Sequence, residues 1–158
     1  MLLKLKPWWP VVAWMAFIFA MSTDFGTAEH TSRWIEPILR WLLPHATDET
    51  IARGHFLVRK LGHLSEYAVL ALLVRRALAI TLGSAGHALR VALIALAICA
   101  VYAATDEFHQ SFVPSRTPSL VDVAIDTTGA ALALAGAAGW TSRRKSGGSP
   151  PLAAPGLR

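Results

Sequence analysis

Charge is scarce in this chain. Only 16% of its 158 residues are Asp, Glu, Lys or Arg, against about 25% in an ordinary soluble domain. Too few charged groups are present to cover such a domain in water, so a soluble enzyme is the least favoured class. Cysteine is almost missing: Cys99 stands alone inside an apolar run, so no intramolecular disulfide staples the fold. The chain has no G-x-S-x-G elbow, no H-E-x-x-H and no internal repeat. Its basic residues, although they give a net charge of +5, form no patch interleaved with aromatics. These gaps argue against Ser–His nucleophilic catalysis, a resident metal and a nucleic-acid partner, and no cofactor is expected.

What the chain has in excess is apolar side chains, 54% of residues with a mean hydropathy of +0.44. They arrive in blocks, which makes the bilayer the natural solvent. A hydrocarbon layer of about 30 Å needs roughly 17–25 helical residues to cross. Four segments approach that: about Trp8 to Ser22, about Phe56 to Arg75, Ala88 to Thr105, and about Leu120 to Trp140. The first is short and the second is interrupted by Arg59, Lys60, His63 and Glu66. The expected fold is therefore all-α, a polytopic membrane protein of four transmembrane helices. Residues 1–140 form one transmembrane domain, followed by a disordered cytoplasmic tail over 141–158 that is rich in Gly, Pro and Ser.

Charge also sets the orientation. With four spans, one side holds nine basic residues (Lys4, Lys6, Arg75, Arg76, Arg90, Arg143, Arg144, Lys145 and Arg158) and no acid. The other side holds the remaining six, Arg33, Arg40, Arg53, Arg59, Lys60 and Arg116, with all ten acids. Basic excess in short loops marks the cytoplasm, so both termini are expected there, with Trp8, Trp9 and Trp140 as an aromatic belt. The tryptophan-rich first segment lacks a small-x-small cleavage site and reads as an uncleaved anchor.

Between the first two spans, Trp34, Ile38, Trp41 and Leu42 recur at helical spacing. Thr31 or Ser32 is the expected cap, with Pro37 in the first turn or so, which predicts an amphipathic helix on the membrane surface. Thr47 followed by Asp48 and Glu49 predicts a second helix start that feeds into the second span.

Ionisable groups then appear where apolar ones belong. Lys60, His63 and Glu66 or Tyr67 share one helical stripe. Asp106, His109 and Gln110 share another, with Glu107 about 100° away, and Asp122, Asp126 and Gly129 a third. A charge at mid-membrane costs about 2.5–3.5 kcal/mol, so such groups face inward and pair. All map to the extracytoplasmic ends of the last three spans, which predicts one shared polar pocket there. Arg116, flanked by Pro114 and Pro118, is the expected partner of Asp122 and Asp126. Glu107 either joins this pocket or simply faces water; Ser119 is expected to cap the fourth helix, and Gly129, Ala133, Gly136 and Ala137 to allow close packing.

At these positions the sequence resembles the VanZ-like family, named for a teicoplanin-resistance protein. The resemblance rests on K-x-x-H-x-x-x-Y at Lys60, His63 and Tyr67, and on D-E-x-x-Q-x-F-x-P-x-R from Asp106 through Glu107, Gln110, Phe112 and Pro114 to Arg116. It continues in D-x-x-x-D-x-x-G at Asp122, Asp126 and Gly129, where family members often carry Asn at the second acid. It spans about residues 56–140 and leaves the segment before residue 50 outside. It implies a small multi-pass protein of the bacterial inner (cytoplasmic) membrane with a link to the cell envelope or to glycopeptide sensitivity, and it supplies no reaction.

Three functions stay open. The pocket could bind or shield an anionic lipid headgroup or lipid-linked envelope precursor, with Lys60, His63, Tyr67, Asp106, Glu107, Gln110, Arg116, Asp122 and Asp126 as ligand-binding candidates. It could be an enzyme on the same class of substrate, with His63 or His109 as general base and Glu66, Asp106 or Asp122 as acid or orienter. It could also be purely architectural, a polar cluster that only locks helices together.

Overall fold

The structure, a computed structural model, describes residues 6–23, 27–83 and 88–146. A 3₁₀ turn at Lys6–Trp8 leads into α1 (Trp9–Ser22), and α2 (Ala28–Leu42), α3 (Asp48–Leu82), α4 (Ala88–Gln110) and α5 (Leu120–Ser146) follow. Among the described residues there is no strand, so the all-α class holds. By length and composition two helices among the described residues are able to cross a membrane, Ala88–Gln110 and Leu120–Trp140. The other two expected spans differ for separate reasons. Helix α1 has only 14 residues, about 21 Å of rise. Helix α3 has 35 residues but carries Lys60, Glu66, Arg75 and Arg76 along its length.

The helix starts follow their side-chain caps. Thr47 Oγ1 accepts from Thr50 N, with Asp48 and Glu49 in the first turn at the positive end of the dipole. From there α3 runs unbroken through the second predicted span. Helix α2 starts earlier than expected: Thr27, not Thr31 or Ser32, accepts from His30 N. Pro37 consequently lies inside the helix and not in its first turn. Helix α2 packs on α3 at Gly54, where a Cβ would lie 3.2 Å from Leu39 Cδ1. Helix α5 continues through residues 141–146 of the expected tail; residues 147–158 lie outside the described part.

The core is a seam along one stripe of each long helix. Val91, Ala95, Cys99 and Ala103 recur every fourth residue on α4, and Tyr67, Leu70, Ala71, Val74 and Ala77 line α3. Ala130 and Leu134 complete it from α5, Val11 and Ile18 from α1. Alanine dominates because helices that share lipid as solvent gain chiefly by close approach. Closest of all is Gly129, where a Cβ would lie 2.2 Å from the Leu64 carbonyl oxygen. Only a residue without a Cβ lets α5 touch the α3 backbone there.

Burial is inverted relative to a water-soluble protein. Leu89, Val101 and Leu132 are 73%, 65% and 60% exposed, while Asp126 is 0% exposed and Asp106, Glu107 and Gln110 are all buried. An apolar exterior around ionisable groups is the arrangement a bilayer selects.

Candidate functional site

The polar groups continue the core seams. On α4 the buried stripe passes from Ala103 to Asp106, Glu107 and Gln110; on α5 Asp126 sits one turn before Ala130; on α3 His63 sits one turn before Tyr67. They gather where the C-terminal ends of α1 and α4 meet the start of α5 and the first half of α3. Hydrogen bonds from α1 fix the directions. Trp8 Nε1 donates to Thr81 Oγ1 (3.1 Å) and Trp14 Nε1 to the Glu66 carbonyl (2.9 Å), so α1 runs antiparallel to α3. Tyr102 donates to the Met15 carbonyl (2.6 Å) and Ser22 to Asp106 Oδ2 (2.7 Å), so α1 and α4 run the same way.

Four of the carboxylates face four different neighbours. Lys60 pairs with Asp122, and its Nζ also lies 5.2 Å from the Phe56 ring centroid. His63 Nδ1 faces Asp126 Oδ1 at 3.6 Å. Asp106 accepts from Ser22 and from Gln110 Nε2 (3.3 Å). Glu107 does not face water: it is buried, and its Oε2 accepts from Ser119 N (2.8 Å) at the start of α5. That placement sets a carboxylate against a helix N-terminus, where the dipole favours it. Ser119 caps α5 as expected, its Oγ accepting from Val121 N at 3.1 Å.

Arg116 departs from expectation. Instead of joining Asp122 or Asp126, its Nη2 donates to the carbonyls of Met21 (2.6 Å) and Thr23 (3.1 Å). Carbonyls in the last turn of a helix have no intrahelical donor, and a guanidinium is suited both to them and to the negative end of the dipole. The backbone of α1, invisible to charge-pair reasoning, took the arginine. His109 also leaves the cluster: its ring packs on Phe19 with centroids 4.3 Å apart.

Several polar atoms are enclosed without a hydrogen bond among the described residues, including His63 Nδ1, the Tyr67 hydroxyl, Asp106 Oδ1, Glu107 Oε1 and both oxygens of Asp126. Buried polar groups left so cost about 1–3 kcal/mol each, so this is an expensive interior. Among the described residues no three His, Cys, Asp or Glu side chains converge to hold a metal ion.

Two cavities flank His63. One, of about 310 Å³, is lined by Phe56, Arg59, Lys60, His63, Gln110, Ser115, Arg116, Thr117 and Asp122. The other, of about 200 Å³, lies between α1, α2 and α3 and includes Ser22, Thr31, Ile35, Gly62 and Glu66. His63 and Arg59 line both. Charge counting gives Arg59 a place only in the extracytoplasmic charge balance, yet it precedes His63 by four residues and so shares its face. Among the described residues it makes no ion pair or hydrogen bond, unlike Lys60 and Arg116. Ser22 was also missed, because no spacing rule connects it to a residue 84 positions away.

Comparison with curated proteins and with solved structures returned no match. A family model does match: that of VanZ/LLP1, over residues 8–140. The matched region reaches back through α3, α2 and α1, well beyond the segment from about residue 56 that the motifs alone marked. Matched from the start of α1 to Trp140 of α5, the chain belongs to the VanZ/LLP1 family.

Proposed function

We propose that the protein crosses the bacterial inner membrane four times with both termini in the cytoplasm. Its polar cavity then opens on the extracytoplasmic side, where it binds the anionic headgroup of a lipid or lipid-linked envelope component. The topology draws support from α1 and α3. The 3₁₀ turn and α1 together rise roughly 27 Å, close to the hydrocarbon thickness, and α1 is apolar on every face. Helix α3 keeps Asp48, Glu49 and Arg53 exposed in its first turns, turns Lys60 and His63 inward after them, and places Arg75 and Arg76 beside the expected cytoplasmic rim.

One observation carries the ligand reading. Three cationic side chains, Arg59, Lys60 and Arg116, wall a cavity whose single carboxylate, Asp122, is already held by Lys60. Gln110, Ser115 and Thr117 add neutral hydrogen-bonding groups, a set suited to phosphate oxygens. Phe56, Leu57 and Leu61 are exposed beside it on α3, which favours an amphiphile over a free anion. Shielding an envelope precursor in this way would connect the protein to glycopeptide sensitivity, including teicoplanin.

Native mass spectrometry of the purified protein tests the reading. The wild type should carry phospholipid or prenyl-phosphate lipid above its bulk abundance. Arg59→Ala should lower that occupancy about tenfold or more, as expected for loss of a charge-assisted hydrogen bond of about 1.5–3 kcal/mol. Adduct-free wild type would end the proposal.

A further inference from the structure

We propose that this cavity is also catalytic, and that His63 is the general base for hydrolysis of a lipid-borne terminal phosphate. The inference rests on the headgroup reading above and adds a reaction to it. Its basis is the asymmetric setting of one imidazole. On one side Nδ1 is enclosed, makes no hydrogen bond, and has Asp126 Oδ1 before it at 3.6 Å, a separation that a small side-chain rotation would close. Asp126 is fully buried, with both oxygens unclaimed by any other donor, so it is free to hold the Nδ1–H tautomer. On the other side His63 lines both cavities, and among the described residues its Nε2 is neither enclosed nor engaged by a partner.

A buried carboxylate behind an imidazole whose far nitrogen opens on a cavity is the logic of a base held in one tautomer. The cavity wall supplies what phosphoryl chemistry needs in addition, since Arg59 and Lys60 share it with His63 and would oppose charge developing on the phosphoryl oxygens. Asp126 does not line either cavity and acts as a positioning residue.

The step balances with water as co-reactant. Water gives a proton to His63 Nε2 as its oxygen forms a new bond to the terminal phosphorus. The bond from that phosphorus to the bridging oxygen breaks, its electron pair staying on that oxygen, which takes up a proton from solvent. His63 returns its proton to solvent. A lipid monophosphate yields the alcohol and inorganic phosphate; a lipid diphosphate yields the monophosphate and inorganic phosphate.

The full-length protein in phosphatidylcholine vesicles is given a long-chain isoprenyl diphosphate in one arm and phosphatidic acid in the other. Release of inorganic phosphate is measured, and captured lipid is read by native mass spectrometry. Release in either arm supports the proposal and identifies the lipid class. His63→Gln should still capture lipid through Arg59 and Lys60 yet lose at least 100-fold in release, the lower end of the general-base contribution. Asp126→Asn should lower kcat with little change in KM. His63→Asn serves as the second variant should His63→Gln fail to accumulate. Capture without release in both arms by the wild type overturns the catalytic proposal and leaves the headgroup reading standing; undiminished release by both His63 variants overturns the role of His63. Absence of capture strikes the headgroup reading itself.

Discussion

Gly129 is the residue on which the α3–α5 interface turns. Placing a methyl group 2.2 Å from the Leu64 carbonyl forces backbone apart, because neither atom sits on a flexible side chain. Gly129→Ala should therefore destabilise the protein by about 1–3 kcal/mol, read as a lower melting temperature in detergent. Gly136→Ala should have no such effect, since a Cβ there meets nothing within 4 Å. Lys60 and Asp122 give a second prediction. Lys60→Ala leaves Asp122 without its partner in a half-buried setting and should cost about 1–3 kcal/mol. Adding Asp122→Ala should recover part of that loss, because the stranded carboxylate is gone. Sequence spacing places Lys60, Asp122 and Gly129 on the faces they occupy but does not give their partners, and it wrongly assigns Gly136, which is exposed, to close helix packing. Lys60 and Asp122 are 62 positions apart, and a helical wheel holds no information about which neighbouring helix receives a given stripe.

At the scale of the element, helix type and position were legible wherever apolar blocks and caps agreed. Thr47 and Ser119 mark their helix starts in sequence and in structure. Helix α2 was legible in its periodicity and misread in its start, because Thr27, Thr31 and Ser32 are all competent caps and local chemistry does not rank them. Its apolar face is open: Trp34 and Trp41 are 78% and 80% exposed. A helix lying on the bilayer would bury both rings in the headgroup boundary. In variants keeping either tryptophan alone, brominated lipid should quench its fluorescence strongly, and solution iodide should do so weakly; the reverse order would place α2 in water. Thr27→Ala removes the side chain that caps His30 N and should raise amide exchange in the first turn of α2, at a cost of about 1 kcal/mol.

For the whole molecule, the inverted burial and the VanZ/LLP1 match agree on a membrane protein, and topology is the quantity to measure. The only cysteine, Cys99, is fully buried, so the native chain gives little background in thiol labelling. Arg53→Cys should react with a membrane-impermeant maleimide in intact cells, and Arg76→Cys only after permeabilisation; equal labelling would refute four crossings. The location of the site was legible because misplaced charge is conspicuous in an apolar chain. Its wiring was not: Arg116 to the α1 carbonyls, Glu107 to Ser119 N and Ser22 to Asp106 all use groups that ordinary pairing rules leave out.

The clasp between Arg116 and the end of α1 also has a history in time. Met21 leaves the ribosome 95 residues before the arginine that will take up its carbonyl, a delay of roughly 5–20 s at ordinary rates of synthesis. Throughout that interval the first helix must wait with its last turn unfinished. A nascent chain arrested just short of residue 116 should therefore hold α1 loosely and be an early target for membrane proteolysis, whereas one arrested after α5 has emerged should resist it.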